Sequence, residues 1–425
     1  MMILKSLGFC GWKTNESSSS KREYKTVIEE LCHQFCMEDI RKATNNLDKK
    51  LLLVEATNNF WLYKGCVKYN GTSDYTITIK RGNPTKKKNE EDSTRSYMVK
   101  EIEVLCQLRH PNIISLIGFC DNENEIIAVY EYMANGSLDD YLTNRNNQPL
   151  SWKKRLEICI GVARALHYLH SGVKRVIIHR LINSSYILLD NNMMPKLAYF
   201  GHSLQGPLST SKPKPIIDVL QGRIGYISPE LFSCGIYTDK CDVYSFGNVL
   251  LDVCGRKDKD LLVKKANIFA SLHFERTSEF WLRVLSRKRI PIEEMVDPDL
   301  NGKIAPECWD AVMNIAQRCI EYEADERPTM GEVELLLERA LSLQQQADDI
   351  TNTNAAHYTL SSTTYIYEGP SICIDANNIE DILSHQFSRA DLALMTGNFD
   401  ERKIIGKGSF GELYQGRVRL KRSNR

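Results

Sequence analysis

No stretch of this 425-residue sequence is apolar enough to cross a bilayer: the longest apolar runs, such as Val249 to Val253 and Ile113 to Phe119, fall far short of the roughly 20 residues needed. Net charge is almost absent as well. Lys+Arg 55 against Asp+Glu 54 gives a formal +1, which supplies no nucleic-acid footprint and no generally anion-seeking surface. Partners must therefore be recognised by a site rather than by bulk charge. The 13 cysteines include no CxxC pair; Cys32 and Cys36 come nearest, and no spacing would close a zinc site. They read as reduced thiols of a cytosolic protein. The partly apolar Met1 to Trp12 is not followed by a small-residue cleavage site, and position 2 is Met. A secretory signal and N-myristoylation are both excluded on that reading. Cys10, flanked by Phe9 and Gly11, is a palmitoylation candidate, the alternative being an unmodified flexible leader.

Hydrophobic residues make up 42% and charged residues 26%, the balance of a soluble protein with a sizeable core. The pattern divides into a flexible leader over residues 1–34, a compact region over 35–343, a linker over 344–384, and a truncated start of a second module over 385–425. The linker reading rests on its Gln, Asp, Thr and Asn content. The second module rests on an internal repeat: His385-Gln386-Phe387 and Thr396 to Asp400 echo His33-Gln34-Phe35 and Thr44 to Asp48. So short a second copy cannot bury a core by itself. It reads either as a truncated tandem product or as an incomplete gene model.

Inside the compact region, Leu51 to Val54, Trp61 to Val67 and Tyr75 to Lys80 carry the β-branched and aromatic residues of strands, broken at Asn70-Gly71 and Gly82-Asn83-Pro84. Leu156, Cys159, Ile160, Ala163, Leu166 and Leu169 then recur at helical spacing from Trp152 to a stop at Gly172. Thr329 and Glu332 form a capping box that opens another helix, facing inward through Val333, Leu336, Leu337, Ala340 and Leu341. The expected class is α+β: a small β-rich lobe over about 47–133, followed by a larger helical lobe over about 134–343.

The ordered set Ile77-Thr78-Ile79-Lys80, Glu101 to Leu105, His110-Pro111-Asn112, Ile178-His179-Arg180, Phe200-Gly201, Ser228-Pro229-Glu230, Asp242 to Gly247 and Glu326-Arg327-Pro328 resembles the landmarks of a protein kinase. Tyr130 to Leu138 and Leu150 to Ile158 look like the plant receptor-like kinases, nearest to the FERONIA type. The match covers about 35–343, without the family's extracellular portion and membrane helix, so the chain is similar to a receptor-like cytoplasmic kinase.

The resemblance implies a bilobal kinase fold, and it lets each part of the phosphoryl-transfer machinery be checked. The three glycine-loop positions fall on Glu55, Thr57 and Phe60, so close backbone approach to phosphates is lost. The proton acceptor corresponds to Leu181, the phosphate-steadying lysine to Asn183, the magnesium-binding asparagine to Tyr186 and the principal magnesium ligand to Tyr199. Leu181 has no lone pair to offer as a general base, and a neutral phenol is a poor magnesium ligand. No residue is expected to act catalytically, no metal site is expected, and ATP with magnesium would bind weakly at best. Thr78 adds a hydroxyl where the family carries a small apolar residue over adenine.

What the resemblance leaves in place is a framework. Lys80, Glu101, Tyr130 and Met133 are remnants of the nucleotide site, with Lys80 and Glu101 read chiefly as a structural salt bridge. Leu105, Leu116, His179, Phe200 and Asp242 match the stacked residues that join the lobes, His179 being a core histidine. Glu230 and Arg327 match the activation-segment anchor. Lys86 to Asp92 reads as a solvated loop before the Glu101 helix. Ser209, Thr210 and Ser211 are candidate phosphorylation sites for a partner kinase, with Arg180 free to pair with the added charge. The terminal Gly406 to Gly411 is an intact glycine-loop pattern supported by Tyr414 and Gly416, without a following lysine. The implied role is a pseudokinase that signals as adaptor, decoy or allosteric partner of active kinases or receptors. It would act in the cytoplasm, at the cytosolic face of the plasma membrane, through peripheral rather than spanning attachment; a serine/threonine kinase with residual activity is the alternative.

Overall fold

The computed structural model describes residues 32–55, 60–69, 73–82, 88–122, 125–143, 147–206, 215–223, 225–255, 296–351, 358–360, 404–408 and 411–414. These form two compact units, one from the described parts of Met1–Val173 and Ser184–Leu204, the other from those of Lys174–Asn183 and Gln205–Arg425. Residues 1–31 of the expected leader, with Cys10, together with Thr57 and Ser209 to Lys214, lie outside the described residues.

The first unit is built on a six-stranded sheet of β1 (His33–Gln34), β2 (Leu52–Glu55), β3 (Phe60–Tyr69), β4 (Ser73–Gly82), β5 (Leu116–Asn122) and β6 (Glu125–Glu131), in the order β1-β5-β6-β4-β3-β2. All pairings are antiparallel except β1 with β5, where His33 meets Gly118 and Gln34 meets Phe119. A Cβ at Gly118 would sit 2.2 Å from the His33 carbonyl oxygen, so only glycine admits β1 at this edge. Helix α1 (Met37–Ala43) follows and buries Ile40 and Ala43 with Phe35, Tyr63, Ile77, Ile79, Ile127 and Val129. The compact region therefore takes in Cys32 to Gln34, ahead of the expected 35, because β1 completes the sheet edge.

Helix α2 (Lys88–Leu105) inserts Met98, Ile102 and Leu105 into the interior. Its start at Lys88 corrects the expected loop over Lys86 to Asp92, since Lys88 to Asp92 is helical, and Lys and Glu are good helix formers. Helices α3 (Leu138–Thr143) and α4 (Trp152–His167) and strands β8 (Ile187–Leu189) and β9 (Pro195–Leu197) complete the unit. Helix α4 opens on a Ser151 cap, its Oγ accepting from the Lys154 N–H at 3.3 Å, and closes through a π turn at Tyr168–Gly172. The unit runs past the expected lobe boundary near 133 because these elements tie back to it. Asn112 Nδ2 donates to the Pro195 carbonyl at 3.1 Å, and Gly161 lies under the Pro195 ring.

The second unit contains β7 (Ile177–Ile178), the β11 (Ile216–Ile217) and β12 (Ile236–Tyr237) pair, α5 (Pro229–Cys234), α6 (Asp239–Cys254), α7 (Pro306–Cys319) and α8 (Met330–Thr351). Cys241 to Gly247 is one unbroken buried run of α6, as expected of a helix enclosed on all sides. A Cβ on Gly247 would meet Cys319 and Ile320 at 2.7 Å. Helix α8 opens on the Thr329 and Glu332 capping box and continues beyond the expected end at 343. Gln344 is buried; its Oε1 accepts from the Ala305 N–H at 2.9 Å, and Tyr358 donates to the Gly302 carbonyl at 3.2 Å. A polar composition suggested a linker here, but these polar groups hold tertiary hydrogen bonds. Strands β13 (Ile404–Gly408) and β14 (Gly411–Tyr414) pair antiparallel, with Gly408 opposite Gly411. Among the described residues no helix is long and apolar enough to cross a membrane.

Candidate functional site

Strand alternation on β4 sends Ile77 and Ile79 into the core under α1 and leaves Lys80 for the opposite face. There Lys80 Nζ donates to Glu101 Oε2 of α2 at 2.5 Å, with 4% and 2% of the two side chains exposed. Burial pulls the Lys80 ammonium below its ordinary pKa, and the charge and hydrogen bond of Glu101 oppose that shift. The remaining surroundings of Nζ are aromatic. Ring centroids of Phe60, Tyr97 and Tyr199 lie 4.4, 4.6 and 5.0 Å away. Phe60 and Tyr97 are 5.0 Å apart, and Tyr199 stacks on Tyr186 at 4.2 Å and 27°. Four rings and one carboxylate thus enclose or support one cation.

Each ring reaches this point by local geometry. Tyr97 precedes Glu101 by four residues on α2, so the two share a face. Its ring also packs over Gly201, where a Cβ would fall 2.3 Å from it, and against His202 at 4.9 Å. Tyr199 has φ 70° and ψ 58°, a left-handed conformation that Asn and Asp tolerate better than a bulky residue. Burial first, then the charges of Tyr186 and Glu101, push the Tyr199 phenol to about 12. Burial likewise raises Tyr97 and Tyr130 well above the ordinary phenol value.

The resemblance would place magnesium ligands at 186 and 199. A stacked pair of neutral phenols offers no anionic oxygen, and among the described residues no group of three or more His, Cys, Asp or Glu is arranged to hold a metal ion. These residues do not fit magnesium.

In the second unit Asp242, fully buried on α6, accepts from the His179 and Arg180 N–H groups at 2.8 and 2.9 Å. His179 Nδ1 in turn accepts from the Leu181 N–H at 3.3 Å, and Asn183 Nδ2 donates to the Leu181 carbonyl at 2.9 Å. The loop is therefore pinned through its backbone and holds an apolar side chain at 181. Arg180 does not stand free, contrary to the sequence-based expectation. Its guanidinium pairs with Asp218 at 2.8 Å, donates to the Val219 carbonyl at 2.6 Å and lies 4.0 Å from the Tyr237 ring centroid. A buried guanidinium requires an anion, and Asp218, an acid downstream of the Ser/Thr run, supplies one.

Arg327 binds Glu230 through two parallel hydrogen bonds of 2.7 and 2.8 Å and donates to the carbonyls of Glu321, Lys240 and Tyr322. Burial alone would raise the Glu230 pKa, but the hydrogen bond and charge of Arg327 outweigh it and hold the carboxyl below its ordinary value.

The structure brings Lys80, Glu101, Tyr186 and Tyr199 together in the first unit. Leu105, Leu116 and Phe200 are also buried in that unit, while His179 and Asp242 are buried in the second. Tyr130 is buried on β6 opposite Thr78, and Met133 follows that strand half-buried. Sequence reasoning passed over Tyr97 and Asp218, and treated Phe60 only as a missing glycine. The four-residue spacing of Tyr97 from Glu101 was the available signal for the first.

Residues 59–337 match the family model described as protein tyrosine and serine/threonine kinase. The chain is 38% identical over 339 residues to receptor-like protein kinase FERONIA of Arabidopsis thaliana, covering 79% of this chain and 35% of that protein. Against ANXUR2 and THESEUS 1 of the same plant the identity is again 38%, over 75% and 73% of this chain and 35% and 34% of those proteins. The chain thus spans about a third of the length of the curated relatives it matches. With a β-sheet lobe and a helical lobe carrying these landmarks in order, the chain belongs to the protein tyrosine and serine/threonine kinase family.

Proposed function

We propose that this chain is a pseudokinase that signals by binding, as an adaptor, decoy or allosteric partner of active kinases or receptors at the cytosolic face of the plasma membrane. The observation that carries this reading is the Tyr186–Tyr199 stack. Two rings lie in contact at the positions where the family uses a carboxylate and an amide to grip magnesium, and a phosphoryl group in flight needs that charge neutralised. Leu181 deepens the loss, since a general base contributes about 10² to 10⁴ in rate. Such losses within one machinery are not multiplied as independent factors. Membrane placement and partner class follow from the receptor-like kinase relatives.

A serine/threonine kinase with residual, atypical activity is the second reading. The intact Lys80–Glu101 pair at 2.5 Å favours it, because active kinases keep that pair. Incubating the purified chain with labelled ATP, magnesium and either itself or a generic protein substrate separates the two. The expected result is no transfer above the background of a Lys80→Met variant; transfer at an ordinary kinase turnover that this variant abolishes would establish the second reading.

A further inference from the structure

We propose that the nucleotide site of this chain is filled by its own side chains: Phe60, Tyr97 and Tyr199, backed by Tyr186, form an aromatic cage around the Lys80 ammonium that takes the place of the phosphates and excludes a nucleoside triphosphate. The proposal deepens the binding-only reading and rests on it in one respect, that the site performs no phosphoryl transfer.

Three observations converge. The first is geometric. Three rings contributed by a strand, a helix and a turn centre within 5.0 Å of one Nζ, and the Lys80 side chain is only 4% exposed. An ammonium over aromatic faces is held by their quadrupoles, most strongly where water is excluded. Phosphate oxygens could reach Nζ only if the rings separated.

The second is conformational. Tyr199 keeps a left-handed backbone that disfavours a bulky side chain, a strain of order 1–3 kcal/mol that persists only where surroundings compensate. Contact with both Tyr186 and Lys80 supplies that compensation. The ring is therefore pinned rather than swinging free of the site.

The third is chemical. Glu101 accepts from Lys80 at hydrogen-bond distance, so the caged ammonium keeps a counter-charge when no phosphate is present. The same contact fixes α2 to β4 without a ligand. The class of molecule excluded is the nucleoside polyphosphate, with or without a divalent cation.

The test is the melting temperature of the full chain, without ligand, with millimolar ATP, and with millimolar ATP and magnesium. The chain should not respond in any condition. Opening the cage by Tyr199→Asn, which suits the left-handed backbone, or by Phe60→Gly at the opposite wall, should create an ATP-dependent rise. A ligand at 100 times its Kd would shift a domain of this size by about 4 °C. Lys80→Met should lower the melting temperature of the ligand-free chain and leave the flat ATP response unchanged. An ATP-dependent rise in the unaltered chain would overturn the cage, and so would two folded cage variants that stay silent. ATP binding without transfer defeats the cage alone, whereas transfer to protein defeats the function proposed above.

Discussion

Two buried cation–carboxylate pairs of this protein have been settled in opposite ways. Arg327, in the helical second unit, meets oxygen at its N–H edges, with two contacts to Glu230 and three to backbone carbonyls, and the Tyr244 ring is centred 4.9 Å from its guanidinium carbon. Lys80, in the sheet-based first unit, has one carboxylate oxygen and three aromatic rings. The difference follows from what each position must satisfy. A guanidinium with five N–H groups arranged in a fixed fork demands acceptors on every side, so the Arg327 neighbourhood has little freedom to vary. An ammonium is a compact point charge that π faces can partly solvate, so rings can replace anionic ligands around Lys80 without leaving it stranded. The anchor is thus held to its kinase-like form by physical necessity, whereas the chemistry-bearing cleft could be rebuilt.

Several perturbations would sharpen or break this contrast. The largest effect is expected from Arg327→Ala, which strands Glu230 and three carbonyls. Chemical denaturation of the purified chain should show a loss of about 3–5 kcal/mol, and a loss under 1 kcal/mol would refute the anchor as described. A smaller, pH-dependent effect is expected at Glu230. Its folded pKa lies below the ordinary carboxylate value, so its contribution is present above the unfolded pKa and disappears as pH falls through the folded pKa. Melting temperature should therefore drop more steeply on acidification in the unaltered chain than in Glu230→Gln; parallel curves would contradict the assignment. The smallest global effect is expected from Asp218→Asn. The Asp218 side chain is 37% exposed, so solvent screening limits the loss to about 1 kcal/mol. Its signature is local: faster hydrogen exchange at Val219 and Gln221, whose N–H groups bind Asp218 and Tyr237. Unchanged exchange there would show that the Arg180 clamp does not order this segment.

Much of the framework was legible because it obeys short-range rules. The helix from Trp152 announced itself by spacing, and the capping box at Thr329 and Glu332 formed as its residue types allow. Two of the boundaries that moved did so for tertiary reasons. The β1 segment joins the sheet only because Gly118, 85 residues away from His33 in sequence, leaves room for a carbonyl oxygen. Gln344 lies inside helix α8, and its amide is tied to backbone groups of Ala305 and Lys303.

The site divides along the same line. Which residue types stand at 60, 181, 186 and 199 is a property of the chain order alone, and it is the kinase resemblance that reads them as departures from a pattern. That the rings at 60 and 199 meet around Lys80, join the unsuspected Tyr97 and leave Tyr186 as support was decided by the folded structure. The physical reason is that residue identity records what a side chain could contact. Which of those contacts form depends on strand alternation, helix phase and a left-handed turn acting together across more than a hundred residues, and no local pattern specifies that sum.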